Sequence, residues 1–409
     1  MSARQGPLHG LRVLDVTQVM AGAYCSMLLG DMGADVIKVE KPGTGDDTRG
    51  MGALMEHGES PPFMAVNRNK RGIVVDLRTP EGVNVLRRLA ATADVLVENF
   101  RPGTMDRLGV GYADLAAINP ALIYCSVSGF GADGPYSDQG GYDLVAQGMS
   151  GIMSFTGEAG RPPVKAGVPV CDLNAAMFAT YGVLSAYVHR LKSGEGQFVD
   201  TSLLEAGIAY TVWETALLFA TGAVAQPTGS AHRLSAPYEA FPTADGWLTV
   251  GAANQRSWIR LCEGVGRLDL LDDERFTTSH RRLAERTALA DELTDAFRSA
   301  TTASWVDRLR EAGVPCGPIY DVAQVYGDKH VQARRMLVEV DHPRAGLHQQ
   351  IGIPVKLSAT PGDISRPAPV LGQHTREVLL ESGFAADEVD RLVQSGVVEH
   401  AEVAVAVAR

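Results

Sequence analysis

An α/β fold built on a doubly wound parallel sheet, with a second, smaller α+β domain, is what this 409-residue sequence predicts. Three observations carry that expectation. Short apolar strands alternate with helical patterns through the first half of the chain, the rhythm of parallel strands joined by crossover helices. The texture then changes at Gln226-Pro227-Thr228-Gly229-Ser230-Ala231, a linker composition. Polar and basic residues gather where strands end, and open parallel sheets bind their ligands beyond the carboxyl ends of strands. The length exceeds what one core ordinarily fills. The expected division is 1–224 as the large domain, 225–330 as the small one, and 331–409 returning to the large domain.

Taken in order, residues 11–16 form an apolar strand, 21–32 a helix of small residues ended by Gly33, and 36–40 the next strand. This is a βαβ unit with its right-handed crossover. Its first turn, Val19-Met20-Ala21-Gly22-Ala23, lacks the G-x-G-x-x-G that lets a pyrophosphate approach the backbone, so a nicotinamide-dependent dehydrogenase is disfavoured. Strand 73–76 is followed by a helix that Thr79-Pro80 opens, then by strand 95–97 and strand 122–127. The residues to watch at strand ends are Val19, Lys41, Arg78, Asn99, Arg101 and Arg107. The cations Lys41, Lys70, Arg71, Arg78, Arg101 and Arg107 read either as solvated loop charges or as a phosphate pocket, since guanidinium matches phosphate oxygens. Residues 202–220 read as one long apolar helix, with Trp213 and Phe219 in the core.

Beyond the linker, an Asp245-Gly246 turn joins two strands into a hairpin. Charged helices run over 254–312, residues 337–340 and 349–358 read as strands, and Leu371-Gly372-Gln373-His374-Thr375 opens a last amphipathic helix.

The net charge of −11 disfavours a nucleic-acid surface. Five cysteines, odd in number and scattered, have neither disulfide nor metal spacing, and a reduced, cytoplasmic setting without a metal is expected. No segment is long and apolar enough to suggest a membrane span, and the alternating Ala-Val tail after Glu402 reads as a docking or frayed end.

Asp172 stands where the extended stretch VKAGVPVC gives way to the helical pattern LNAAMFATYGVLSAY. One reading is an N-cap, whose carboxylate accepts free amides of the first turn. The other is a nucleophile: a carboxylate held ionised at a helix N-terminus can attack an acyl group. Position alone leaves both open. Cys171 beside it has no local His partner and reads as a small buried residue.

Several segments taken together resemble the class III CoA-transferases, the CaiB/BaiF family. They are LRVLDVTQVMAG, GADVIKVEKPGTGDDTRG, NRNKRGIVVDLRTPEG, ADVLVENFRPGTMDRLG, GGYDLVAQGMSG, CDLNAAMFATYGVL, SGEGQFVDTSLLEA and GVPCGPI, in that order along the chain. The resemblance implies a Rossmann-like large domain made from both chain ends, a smaller α+β domain and an interlocked homodimer. It also implies transfer of CoA between carboxylic acids through an aspartyl–acyl anhydride, with Asp172 at the nucleophile's position. By motif position it assigns CoA contacts to Val19, Met20, Lys41, Val75, Asp76, Leu77, Arg78, Asn99, Phe100, Arg101, Arg107 and Tyr142. The arginines suit phosphates, while Leu77 and Phe100 suit adenine or pantetheine. Lys41 stands where some relatives carry Arg.

Acyl-CoA racemases of the same fold need a His where this sequence has Tyr142, and a phenol with a pKa of ~10 is a poor base at neutral pH. A non-catalytic CoA-binding protein would keep the sheet without needing Asp172. The segments GDDTRG and YEAFPTADGWLTVGAANQ look most like members that use succinyl-CoA with dicarboxylates. Oxalate-using formyl-CoA transferases carry a glycine run where this chain has GSAHRLSAPY. Arg49, Arg71, His232 and Arg233 are the candidates for holding an acceptor's distal carboxylate.

Overall fold

The computed structural model describes residues 6–52 and 58–401. The alternating tail after Glu402 lies outside the described residues. The chain divides into two compact units: residues 1–152, 165–216 and 330–409 form one, and residues 153–164 and 217–329 the other.

The first unit is organised on a seven-stranded sheet. In chain order its strands are β1 (Arg12–Asp15), β2 (Asp35–Glu40), β3 (Lys70–Val75), β4 (Val95–Glu98), β5 (Ile123–Ser128) and β6 (Phe198–Ser202), with the short Val398–Glu399 strand last. Across the sheet the order is Val398–Glu399, β3, β2, β1, β4, β5, β6. All pairings are parallel except that Val398–Glu399 runs antiparallel to β3. Central strands lose solvent on both faces, which is why β3, β4 and β5 are buried along their whole length. One face packs Leu14, Ile37, Ile73, Leu96 and Tyr124 against Leu86 and against Val378, Leu379 and Val389 near the chain's end.

Local chemistry explains the helix boundaries. Thr79 caps the Pro80–Ala90 helix by accepting the Gly82 amide at 3.0 Å, with Pro80 in the first turn, where a missing N–H costs nothing. A side chain at Gly82 would put a Cβ 2.0 Å from the Asp76 carbonyl oxygen, so only glycine permits this turn. The Val170–Ser193 helix packs on the Ala21–Asp31 helix and on β5. Its small buried residues Ala175, Ala176, Ala179, Val183 and Ala186 allow that close approach.

Four sequence expectations change. Residues 202–220 are two helices, Leu203–Tyr210 and Val212–Thr221, broken at Thr211. Trp213 and Phe219 are exposed rather than in the core, because the second helix buries none of its residues. Residues 337–358 form one antiparallel hairpin, Leu337–His342 with Gly346–Ile351, and strand pairing stops at Ile351. Lys70 and Arg71 are buried at the start of β3 in ion pairs, not in a loop.

In the second unit, the strands Tyr238–Pro242, Trp247–Gly251 and Cys316–Pro318 form an antiparallel sheet. The helices Gln255–Val265, Arg286–Phe297 and Thr302–Glu311 cover it. Phe241, Trp258, Phe276, Phe297 and Trp305 fill the core.

Candidate active site

β1 lies between β2 and β4, so the winding of the sheet reverses between β1 and β4, and a crevice opens beyond their carboxyl ends. The turn after β1 (residues 18–21) and the turn after β4 (99–102) line a cavity of ≈ 380 Å³ there. Residues 127–129, 139–142, Leu203 and Asp172 complete its walls. A second cavity of ≈ 370 Å³ is lined by residues 39–42, Thr44, residues 75–78 and Leu108. Gln18 and Phe100 belong to the walls of both.

Asp172 lies in the first turn of the Val170–Ser193 helix, and the N-cap position is held by Pro169. The capping expectation is therefore corrected: Asp143 Oδ1 accepts the Cys171 amide at 2.9 Å instead. The Asp143 carboxylate is fixed in turn by Gln147 Nε2, 2.6 Å from Oδ2. Burial pushes the Asp172 carboxyl up to about 7, and the neighbouring Asp143 adds to the rise. The sequence reading had the helix N-terminus hold it ionised; loss of water and a like charge outweigh the dipole here. Cys171 is buried, and burial raises its thiol to about 11, which leaves it inert at neutral pH.

The two turns grip each other. The Asn99 carboxamide accepts the Gln18 amide at 2.8 Å and donates to the Gln18 carbonyl at 2.7 Å. Val19 has φ +64, a left-handed conformation that costs a β-branched residue about 1–3 kcal/mol. Across the cavity, Gly129 and Gly141 touch backbone to backbone. A Cβ on Gly129 would lie 2.6 Å from the Gly141 Cα, and one on Gly141 would lie 2.4 Å from the Gly129 Cα. Glu98 accepts the Phe100 amide at 2.8 Å, and burial pushes its carboxyl up to about 7.

Of the residues proposed for CoA, Val19, Met20, Asn99, Phe100, Arg101 and Tyr142 share the first cavity with Asp172. Lys41, Val75, Asp76, Leu77 and Arg78 line the second. The Arg78 side chain is 82% exposed while pairing with Asp76 at 2.8 Å, and Lys41 pairs with Asp47. Arg107 lines neither cavity; its guanidinium donates to Thr104 Oγ1 at 3.0 Å on the neighbouring surface.

Of the acceptor candidates, Arg49 and Arg71 do not line this crevice. Arg49 is bound by Glu40 at 2.7 Å and stacks on Phe63 at 3.6 Å. Arg71 pairs with Asp35, Glu377 and Glu381, and lines a different cavity beside Arg12, at the amino ends of the strands. His232 and Arg233 lie in the second unit, where His232 packs edge-on against Tyr238 and Arg233 binds the Gln226 carbonyl. Sequence reasoning passed over Gln18 and Asp143. Gln18 was signalled by its place at the end of β1, and Asp143 by its place at the start of an apolar helical run.

The family model for CoA-transferase family III matches residues 8–375. The chain belongs to that family. It is a transferase, and CoA thioesters are its co-substrates. Succinyl-CoA:glutarate CoA-transferase of Mus musculus is 38% identical over 397 residues, spanning 97% of this chain and 91% of that protein. Succinate–glutarate CoA-transferase of Agrobacterium fabrum is 39% identical over 392 residues, spanning 93% and 97%. The crystal structure of a CaiB/BaiF family protein from Brucella suis matches with a TM-score of 0.84 at 36% identity, covering 92% of this chain and 100% of that one.

Proposed function

We propose that the protein moves CoA from succinyl-CoA to a dicarboxylic acid through an acyl anhydride on Asp172. The observation that carries this reading is the position of Asp172: a half-buried carboxylate on the wall of a cavity at the sheet's switch point, joined through Gln18 and Phe100 to a second cavity beside Arg78. The names of the relatives supply the donor and the class of acceptor.

The chemistry follows from the carboxylate. Asp172 attacks the thioester carbonyl carbon; the C–S bond breaks and CoA leaves as thiolate with the bonding pair. The thiolate attacks the Asp172 carbonyl of the mixed anhydride, releasing succinate and leaving an enzyme thioester. The acceptor carboxylate attacks that thioester and expels the thiolate. The thiolate then takes the acceptor's acyl carbon, restoring the Asp172 carboxylate. Each intermediate is prone to hydrolysis, so the site has to hold the reactants close and keep water out. Arg78 and Arg101 serve the phosphates, with Arg107 adding positive charge from the neighbouring surface, and Phe100 and Leu77 serve the apolar parts of CoA.

A second copy of this chain covers the outer face of the Val170–Ser193 helix in this reading. Met177, Tyr181, Leu184, Val188 and Leu191 are all exposed there, with Tyr181 at 70% and Leu191 at 69%. Their alternating spacing of four and three residues is the seam of a helix that packs on another. The five cysteines, all free, fit a reduced cytoplasmic setting.

The test is single turnover with labelled succinyl-CoA, trapping the enzyme with hydroxylamine, beside a panel of diacids analysed by chromatography of the thioesters. Transfer that persists in Asp172→Ala removes the residue from this role.

A further inference from the structure

The turn that forms the Asp172 cavity's wall contains a residue that does not adopt its conformation willingly. Valine is rarely left-handed, and such a residue persists only where its surroundings over-determine it. Val19 is held so at φ +64. Its amide donates to Asp46, at 3.1 Å from Oδ1 and 3.3 Å from Oδ2. Asp46 is itself fixed by the Lys38 ammonium at 2.8 Å, and both side chains are fully buried. Lys38 also donates to the Thr17 carbonyl at 2.8 Å, so the ion pair grips the turn on both sides of Gln18.

A buried ion pair is weak evidence of stability, because desolvation of both ions opposes their attraction. Asp46 also accepts the Thr48 amide at 2.9 Å as cap of the Asp47–Gly50 turn, so a purely structural role is the competing account. What that account leaves unexplained is the reach back to a strained residue beside Asp172.

We infer that Asp46, held by Lys38, is a positioning residue: it keeps Val19 left-handed and so fixes the Gln18–Val19 wall against which CoA binds. This deepens the proposed function and rests on that cavity being the CoA site.

Two uncharged pairs separate the accounts. Lys38→Met with Asp46→Asn keeps an oxygen for the Val19 amide; Lys38→Met with Asp46→Leu removes it. The dissociation constant of CoA is measured by calorimetry without turnover, together with kcat and KM for succinyl-CoA. The Asn pair is expected to bind CoA within about threefold of wild type, and the Leu pair about tenfold more weakly, with kcat/KM lower by about a hundredfold. Adding Val19→Gly to the Leu pair should recover most of the lost affinity, because glycine is left-handed without strain. A structural role alone predicts no such recovery. Equal CoA affinity of the Asn and Leu pairs, or no gain from Val19→Gly, overturns the inference. Asp46→Ser, too short to reach Val19, serves the same comparison if the Leu pair does not fold. Wild-type CoA binding and the activity of Asp172→Ala, measured alongside, report separately on the proposed function.

Discussion

The Asp143 carboxylate accepts the amide of Cys171 at 2.9 Å, one residue before Asp172. It thus orders the first turn of the helix that carries Asp172 and also sets a negative charge beside it. Asn at 143 keeps an acceptor and drops the charge. Asp143→Asn should lower the midpoint at which Asp172 loses its proton by up to about one pH unit. Asp143→Ala should in addition cost ~1 kcal/mol of stability through the lost cap. Titration by pH–rate profile and thermal melts of the two variants separate the effects.

The rate of the first acyl transfer should rise with pH through a midpoint near 7, since the proposed attacking group is the Asp172 carboxylate and burial pushes its pKa up to about 7. The same shift affects stability. The folded state keeps a proton on Asp172 that the unfolded chain releases at 3.8, so this group's contribution falls as pH rises from about 4 to about 7. Asp172→Asn lacks that loss. It should melt above wild type at pH 8, and the gap should close at pH 4.

Glu98 titrates in the same range and faces Tyr124, Asp106 and Asp200, while Ser126 and the Phe100 amide bond to it. Its ionised form accepts the Phe100 amide more strongly, which should steady the turn that carries Asn99 to Arg101. Glu98→Gln should therefore flatten the pH dependence of CoA affinity around 7 and leave the Asp172 limb of kcat in place. Calorimetric affinities at pH 6 and pH 8 check this.

Arg71 binds Asp35, Glu377 and Glu381 at the amino edge of the sheet. Arg71→Ala should lower the melting temperature by several degrees, because it strands carboxylates and an element pairing across the chain. Acceptor KM should stay within about twofold. Arg101→Ala, on the cavity wall beside Asp172, should instead weaken CoA by about fivefold, an effect that salt reduces in the wild type.

Tyr181→Glu puts a charge in the exposed apolar seam at its most exposed residue. Light scattering should show dimer for the wild type and monomer for the variant, since a charge buried without a partner opposes association.

Much of the sheet was legible because its central strands are apolar on both faces and short, and because Gly33 and Thr79-Pro80 punctuate the helices between them. The short antiparallel strand Val398–Glu399 was not, since two residues give no period to read. Asp172 stood out by its position before a helical run. Its environment did not: burial and Asp143, distant by 29 positions, push its pKa up to about 7, against the direction that the helix terminus alone suggests. The arginines show the same limit. Arg49 and Arg78 look alike in sequence, yet one is wrapped by Glu40 and Phe63 and the other reaches into solvent. Partners remote in the chain decide which cation is available.

Gln18 and Phe100 form a partition between two chambers. On the proposed function, a thioester anchored near Arg78 has to pass that partition for its acyl carbon to meet the Asp172 carboxylate. A full pantetheine thioester is therefore expected to react where a truncated N-acetylcysteamine thioester, filling one chamber alone, loses its tether to the other.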